Sequence, residues 1–296
     1  MLQARALVKA FGSHTAVDGV SFSIDRGESF GLLGPNGAGK STTIHMLVGA
    51  LEPDTGEVVV GDGGSPLDPE TRRDIGIAPQ DLAIYEELSA AENLEFFGRV
   101  YGLRGKKLST RVDWGLEFAG LVDRRKDRAE TFSGGMKRRL NLACAVVHEP
   151  KLLLCDEPTV GVDPQSRNHI FDSIEALAAE GCTLLYTTHY MEEAQRLCER
   201  VAIVDHGKVL AIGKVDDLIE EHGGASIVEV ELKQLPENVD ALPGQRDGLS
   251  LRIETEEPFA TVEELGRQGL PIQQLKIERP DLERVFLALT GRTLRD

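Results

Sequence analysis

The sequence predicts an α/β fold with a mixed, mainly parallel core sheet, and three observations lead to this prediction. Continuous apolar runs such as KLLLCD (151–156) and CTLLYTT (182–188) are typical of strands that a parallel sheet buries on both faces. Helical patterns alternate with such runs from the N-terminus to about residue 213. A glycine-rich turn in GLLGPNGAGKST (31–42) joins one apolar run to a helical pattern, as in many α/β proteins.

Apolar periodicity predicts the elements of this first region in chain order. Strand-like runs are bounded by turn residues, and the helices show apolar residues at helical spacing. The tripeptide HGK (206–208) predicts a hairpin turn. We expect strands at 16–25, 29–34, 56–61, 75–79, 151–156, 182–188 and 200–205, and helices at 40–50, 89–101, 134–147, 164–180 and 190–198.

Two changes of pattern divide the chain. Residues 81–130 contain only helical candidates, so we expect a helical subdomain at about 81–148 within a first domain at 1–213. A linker is expected at 214–224. Beyond it, alternating apolar and polar residues predict half-exposed antiparallel strands, and two short helices accompany them. These features indicate a separate α+β module at 225–296.

The glycine-rich turn fits the P-loop pattern G-x-x-x-x-G-K-[ST] at Gly34, Gly39, Lys40 and Ser41. Its glycines let backbone N–H groups turn toward an anion, and the following helix directs its positive end there. Lys40 can then reach the β- and γ-phosphates of a nucleotide, and the Ser41 hydroxyl can bind Mg²⁺. A turn that only caps a helix is the alternative. The expected phosphate-binding residues are Gly34, Pro35, Asn36, Gly37, Ala38, Gly39, Lys40, Ser41 and Thr42.

Polar residues follow three other predicted strands. Asp156 can order Mg²⁺, and the adjacent Glu157 can polarise a water that attacks the γ-phosphate. His189 follows the neighbouring strand, and Gln80 ends a short strand with an amide that can reach a metal or a water. The alternatives are two acids that only solvate a strand end and a histidine with a structural role.

The segment FSGGMKRRLNLACAV (132–146) predicts a second anion-binding helix end. Ser133 is a good N-cap, and Gly134 and Gly135 leave backbone amides open at the start of the helix. Ordinary helix capping is the alternative. Because the P-loop already holds one triphosphate, the segment considered alone gives this second helix end no function.

Composition narrows the class of protein. The 296 residues include 33 Lys and Arg and 49 Asp and Glu, and the resulting net charge of −16 argues against a nucleic-acid binder. The four cysteines lack C-x-x-C spacing, so we expect reduced, packed thiols. The N-terminus lacks the apolar region of a signal peptide, and no apolar run approaches the roughly 18 residues that span a bilayer. We therefore expect a soluble chain whose role at a membrane depends on a partner.

Taken in order, the P-loop, Gln80, the SGG turn, the two acids and His189 resemble an ATP-binding cassette, the nucleotide-binding subunit of ABC transporters. The resemblance covers about residues 5–213 and implies a P-loop NTPase fold with an antiparallel β subdomain. It also implies hydrolysis of ATP with Mg²⁺ in a head-to-tail homodimer that holds two ATP molecules at its interface.

The resemblance implies a role for each matching residue. The SGG turn (Ser133, Gly134 and Gly135) is the signature that would contact the γ-phosphate bound by the other protomer. Lys40 would bind the phosphates, and Ser41, Asp156 and Gln80 would hold Mg²⁺. The remaining roles are catalytic base for Glu157, switch histidine for His189, Q-loop glutamine for Gln80, D-loop aspartate for Asp163 and adenine-stacking aromatic for Phe11.

The chain departs from the most common family pattern at Phe132 and Met136, which flank the signature, and at Val162 in the D-loop. Its tail, RPDLERVFLALTGR (279–292), is similar to that of daunorubicin-resistance-type ATPases, which pair with separate membrane subunits and usually export. The similarity implies a location on the cytoplasmic face of the cell membrane. A non-transport ABC ATPase of DNA repair, chromosome organisation or translation is the main alternative, and a P-loop kinase or GTPase is another.

Surplus apolar residues suggest where a membrane subunit would dock. Residues 81–102 carry more apolar and aromatic side chains than a small helical subdomain is expected to bury, and such a surplus marks partner sites. A purely local core is the alternative. We also expect the module at 225–296 to add a contact between protomers. The docking candidates are Leu82, Ile84, Tyr85, Leu88, Leu94, Phe96, Phe97 and Tyr101.

Overall fold

The computed structural model describes residues 1–235 and 242–291. These residues form two compact units, Met1–Val215 and a second unit that begins at Asp216. Residues 236–241 and 292–296, which belong to the predicted C-terminal module, lie outside the described residues.

The first unit alternates strands and helices along the chain. Two short 3₁₀ turns, Val122–Arg124 and Ala129–Thr131, precede its fifth helix. The elements are β1 (Leu2–Phe11), β2 (His14–Ile24), β3 (Ser29–Leu33), α1 (Lys40–Leu47), β4 (Thr55–Val60), α2 (Pro69–Arg72), β5 (Ile75–Ala78), α3 (Ala90–Val100), α4 (Gly105–Phe118), α5 (Gly134–Val146), β6 (Leu152–Asp156), α6 (Pro164–Ala179), β7 (Thr183–Thr188), α7 (Met191–Leu197), β8 (Arg200–Asp205) and β9 (Lys208–Lys214).

A six-stranded sheet in the order β5-β6-β7-β3-β8-β9 forms the centre of this unit. Its strand pairs are parallel except for the β8–β9 hairpin, so the predicted mixed, mainly parallel sheet is confirmed. Because β6, β7 and β3 are neighbours, their carboxyl ends lie side by side at one edge of the sheet. The P-loop, the acid pair and His189 follow those three ends.

A second, antiparallel sheet in the order β2-β1-β4 packs on the first one. The two sheets share one core, in which the rings of Phe22 and Phe30 stack with centroids 5.3 Å apart. Strand β1 is absent from the sequence prediction, because a bulge between Ala4 and Leu7 interrupts the apolar alternation on which strand prediction depends.

Helices α3, α4 and α5 lie between β5 and β6, and α4 is not among the helices predicted from the sequence. They enclose an apolar core of their own that includes Leu94, Leu116 and Leu140. Helix α3 begins with a capping box, since Ser89 and Glu92 exchange hydrogen bonds between side chain and backbone. All four cysteines of the chain are free, and burial raises the pKa of the Cys182 thiol to about 11.

The second unit is a four-stranded antiparallel sheet with helices. Its apolar face, formed by side chains such as Val228 and Leu251, packs with Leu265 of its second helix. The elements are α8 (Val215–His222), β10 (Ser226–Leu232), β11 (Gln245–Asp247), β12 (Ser250–Thr255), α9 (Pro258–Arg267), β13 (Ile272–Glu278) and α10 (Leu282–Thr290), with the strand order β11-β12-β10-β13.

The segment 214–224 differs from the expected linker, because α8 occupies most of it. Asp216 and Asp217 lie in the first turn, where negative charge interacts favourably with the helix dipole. Leu218 of the same helix is buried. Across residues 1–235 and 242–291, no helix is both long enough and apolar enough to cross a membrane.

Candidate nucleotide-binding site

The glycine-rich loop lies between β3 and α1, and two of its glycines are required by the backbone. A Cβ at Gly34 would lie 2.2 Å from the carbonyl oxygen of Val204. Gly39 has a φ of 98°, and a Cβ there would lie 2.3 Å from the carbonyl oxygen of Ala16. No side chain caps α1, so the first N–H groups of the helix can bind an anion.

Lys40, the first residue of α1, is buried beneath this loop. Its Nζ donates to the carbonyl oxygens of Gly34 (2.8 Å) and Pro35 (3.0 Å). The same ammonium forms an ion pair of 3.0 Å with Oε1 of Glu157. Since both charged side chains are about 5% exposed (4% and 6%), each is the counter-charge that the other needs in the interior.

Glu157 connects the lysine to the histidine. Its Oε2 lies 3.2 Å from Nδ1 of His189, on the side of the carboxylate opposite the ion pair with Lys40. The backbone of Glu157 has a φ of 45°, a conformation that costs a non-glycine residue roughly 1–2 kcal/mol. Its N–H donates to the backbone carbonyl of Thr187 (3.2 Å), which fixes this strained turn to the neighbouring strand.

Asp156 ends β6 and is held by β7. The hydroxyl of Thr187 donates to Oδ1 of Asp156 at 2.7 Å, and both residues are buried. The sequence analysis does not include Thr187 among the site residues. The signal was available, because parallel strands end at a common edge and a polar residue two positions before His189 would lie beside the acids there.

Four further predicted residues form a separate group around the N-termini of α5 and α6. Ser133 caps α5, with its Oγ accepting from the N–H of Met136 at 3.2 Å. Asp163 caps α6, and the hydrogen bond from the N–H of Ser166 lowers the pKa of its carboxyl. Gly135 brings the two helix ends together, since a Cβ there would lie 2.2 Å from Oγ of Ser166.

The structure thus divides the predicted site residues into two groups. We call the first set, which contains Lys40, Asp156, Glu157 and His189, the P-loop group. The second set, the signature group, consists of residues 133–135 and Asp163. Within the described part of the chain, no hydrogen bond or ion pair joins a predicted residue of one group to one of the other.

Phe11 and Gln80 belong to neither group. Phe11 lies at the end of β1 with 51% of its surface exposed, which leaves its ring free to stack on a planar ligand. Gln80 is exposed, and its backbone carbonyl accepts from Nη1 of Arg138 at 2.5 Å.

The donor atoms in and around the P-loop group suit a nucleotide that carries Mg²⁺. The Ser41 hydroxyl and the Asp156 carboxylate are hard oxygen donors of the kind this ion prefers. Among the residues that the structure describes, no group of three or more His, Cys, Asp or Glu side chains could hold a metal ion. An ion here would therefore take further ligands from phosphate and water.

A parallel sheet whose neighbouring strands lead into a phosphate loop, an acid pair and a histidine defines a P-loop nucleotide hydrolase. The sequence model of the ABC transporter family matches residues 17–160 of this chain. The chain is also 46% identical to the linearmycin resistance ATP-binding protein LnrL of Bacillus subtilis, over all of both proteins. This chain belongs to the ABC transporter family and is an ATP-hydrolysing, ATP-binding subunit.

Other relatives and solved structures agree. The Nod factor export ATP-binding protein I of a Bradyrhizobium species is 41% identical over 97% of this chain and 95% of its own length. An ATP-binding subunit of an ABC transporter matches with a TM-score of 0.69 and 32% identity, over 75% of this chain and 93% of that chain. A dimeric cassette in a post-hydrolysis state with ADP and Pi matches with a TM-score of 0.66 and 27% identity, over 72% and 98%.

These findings confirm the predicted family and fold. They do not favour a non-transport ABC ATPase. They exclude a kinase or a GTPase switch as the class of this chain.

Proposed function

We propose that this chain energises an exporter by hydrolysing ATP with Mg²⁺ at two composite sites of a homodimer. The observation that carries the proposal is the position of the Glu157 carboxylate, between the Lys40 ammonium (3.0 Å) and the His189 imidazole (3.2 Å). A buried carboxylate beside a phosphate loop is suited to accept a proton from an attacking water. Relatives named for linearmycin resistance and Nod factor export support an export role.

Each residue of the P-loop group has a task in this proposal, together with Ser41, Gln80 and Phe11. The P-loop amides and Lys40 bind the β- and γ-phosphates, and Glu157 takes the proton from the water. His189 holds the Glu157 carboxylate in place. Ser41, Asp156 and Gln80 would hold Mg²⁺, which neutralises charge on the phosphates when it is bound. Phe11 stacks on adenine.

The signature group supports the dimer. Ser133 and Gly134 are exposed at an open helix end. Among the described residues, no hydrogen bond or ion pair connects them to the P-loop group. A second chain, arranged head to tail, would present the γ-phosphate of its bound ATP to this helix end. Asp163, packed against Gly135, would lie at the same interface.

The aromatic residues of 81–102 support a docking site for a membrane permease. Of the eight apolar candidates only Leu94 is fully buried, whereas Tyr85 and Phe96 are 46% and 39% exposed. Their rings contact each other edge to face, with centroids 4.7 Å apart. The backbone of Tyr85 is fixed by the buried amide of Asn93, which accepts from its N–H (2.8 Å) and donates to its carbonyl (2.9 Å).

Rigid, exposed aromatic side chains are typical of partner sites, because binding then costs little conformational entropy. Such a partner in the membrane would hold this chain on the cytoplasmic face. We call Tyr85, Phe96 and Phe97 the aromatic patch.

Glu157→Gln tests the proposed chemistry. An amide of the same shape cannot accept the proton of the water, so we expect hydrolysis to fall by about 100-fold or more while ATP binding remains. Because the triphosphate grip is intact, the variant should form an ATP-dependent dimer on a sizing column. Turnover close to that of the unchanged chain would disprove the role of Glu157 as base.

A further inference from the structure

A buried carboxylate on α7, that of Glu193, has a set of contacts that the proposed chemistry does not use. Its side chain is 4% exposed and accepts three hydrogen bonds from hydroxyls. The donors are Thr159 Oγ1 (2.7 Å), the hydroxyl of Tyr186 (2.9 Å) and Thr188 Oγ1 (2.8 Å). Each donor is only 1% exposed, and no ion pair involves Glu193 among the residues that the structure describes.

The donors come from the two chain segments that contain Glu157 and His189, at the ends of β6 and β7. Thr159 follows Glu157 by two residues, after β6. Thr188 is the last residue of β7 and directly precedes His189. Because side chains alternate along a strand, Tyr186 and Thr188 point toward Glu193, whereas Thr187 between them points toward Asp156.

Thr188 also closes the turn that contains His189. Its Oγ1 accepts from the N–H of Tyr190 at 2.9 Å, so its own proton is available for Glu193. The backbone on both sides of His189 is thereby fixed to one carboxylate. The same carboxylate holds Thr159 on the Glu157 side.

Three hydroxyl donors match an ionised carboxylate, which only accepts. Burial, together with the Glu193 charge, raises the pKa of the Tyr186 hydroxyl well above its ordinary value, which keeps this phenol a donor. Glu193→Gln would keep the shape of the side chain but direct an NH₂ group at a hydroxyl that also donates. One of the three contacts would then be lost or reversed.

We propose that Glu193 is a positioning residue that sets the separation of Glu157 and His189, which is 3.2 Å between Oε2 and Nδ1. It acts through Thr159, which follows β6, and through Thr188, which ends β7, and it has no hydrogen bond to either catalytic side chain. The role rests on the proposed function of Glu157 and His189. A catalytic pair that must keep its geometry to a fraction of an ångström gains most from such a shared anchor.

The test compares Glu193→Gln with Glu192→Gln in the full chain. The adjacent Glu192 is exposed and serves as a matched control with the same change of charge. For Glu193→Gln we expect kcat for ATP to fall by about 10- to 100-fold with KM changed by less than about 3-fold. Glu192→Gln should leave both unchanged. An unchanged kcat in a folded Glu193→Gln chain would overturn the inference.

A second comparison separates positioning from general damage to the fold. If Glu193 acts on the geometry of His189, Glu193→Gln should cost little more in a His189→Ala background, whereas independent effects would multiply. Thr159→Val removes one donor without changing the carboxylate, and it should reproduce part of the loss in kcat. It decides the question if Glu193→Gln does not fold, because normal turnover in folded Thr159→Val would then count against the anchor.

A spectroscopic measurement keeps the failure of the inference distinct from that of the proposed function. The imidazole signal of His189 in isotopically labelled chain, assigned by its loss in His189→Ala, should shift in Glu193→Gln and stay in Glu192→Gln. If it shifts but His189→Ala hydrolyses ATP normally, the anchor is supported and the proposed role of His189 is wrong. If His189→Ala is inactive but Glu193→Gln changes neither signal nor turnover, the anchor is wrong.

Discussion

Glu157 shows how opposite charges can hold a single residue of this site in a strained backbone conformation. Its backbone has a positive φ, and its carboxylate has a buried lysine on one oxygen and a histidine on the other. An uncompensated charge in this position would be costly, because it is almost completely removed from water. The charge of the P-loop lysine therefore contributes to the stability of the fold, in addition to its proposed role in binding phosphate.

Lys40→Ala tests this double role. We expect weaker nucleotide binding or turnover, and also a free energy of unfolding lower by roughly 3 kcal/mol, because Glu157 loses its buried counter-charge. The double variant Lys40→Ala/Glu157→Gln should recover much of that stability while remaining inactive. Urea unfolding of the single and double variants measures the difference. A double variant that is less stable than Lys40→Ala alone would contradict the coupling.

His148, at the end of the helical region, should make stability depend on pH. Burial lowers the pKa of its imidazole from 6.5 to about 4, and the ring stacks on Tyr101 with centroids 3.5 Å apart. Between these values the unfolded chain takes up a proton that the folded chain does not. The free energy of unfolding should therefore decrease as the pH falls from 7 to 5, with about 1–2 kcal/mol from this group.

His148→Phe keeps an aromatic ring for the stack and removes the titration. Its unfolding free energy, measured in urea at pH 7 and pH 5, should decrease less between the two pH values than that of the unchanged chain. Equal decreases in the two proteins would show that another group causes the acid sensitivity.

The candidate site residues that could be predicted from the sequence are those with fixed spacing in a motif. Gly34, Lys40 and the acid pair follow from short patterns because the chemistry of phosphate requires these residue types at these separations. Thr187 and Glu193 carry no such pattern. Thr187 lies 31 residues from its partner Asp156 along the chain, and Glu193 lies 34 residues from its partner Thr159. Only the pairing of β6 with β7 brings these partners together.

At the scale of elements, the aromatic patch on and before α3 separates local packing from partner binding. Tyr85→Glu and Phe96→Glu should leave a folded, ATP-binding chain, because both side chains are partly exposed. We expect either variant to lose co-purification with the proposed membrane subunit. Val122→Glu is a matched control, since Val122 is 54% exposed and lies outside 81–102. Insoluble patch variants beside a soluble control would instead indicate local core.

Elements with regular patterns agree with their predictions, and irregular ones do not. The buried strands β6 and β7 begin within one residue of the predicted runs, because a two-sided apolar environment gives a continuous signal. Helix α8 lies in an acid-rich segment whose short apolar face is difficult to distinguish from a linker before Leu218 is known to be buried. Local charge and length gave too little information there.

For the whole molecule, the separation of the predicted site residues into a P-loop group and a signature group leads to a complementation experiment. Ser133→Arg should block the signature while leaving ATP binding by the isolated chain nearly unchanged. Lys40→Ala damages the P-loop group instead. In a mixed dimer of these two chains, one site carries both defects and the other carries neither.

An equal mixture of the two variants should therefore regain hydrolysis, to about a quarter of the normal rate if the chains pair at random. Each variant alone, measured at the same total concentration, is the control. A mixture that is no more active than its components would argue against composite sites. Strong loss of ATP affinity in the isolated Ser133→Arg chain would do so as well.

The division into two groups also has a genetic consequence. A damaged gene copy that still makes a folded chain would engage healthy chains and spoil half of the sites in each mixed pair, so such an allele should act dominantly, whereas a deletion would be recessive. After gene duplication, one copy could lose Glu157 and survive selection by lending residues 133–135 to its sister. Transporters descended from such a duplication would then keep one working site and one silent site.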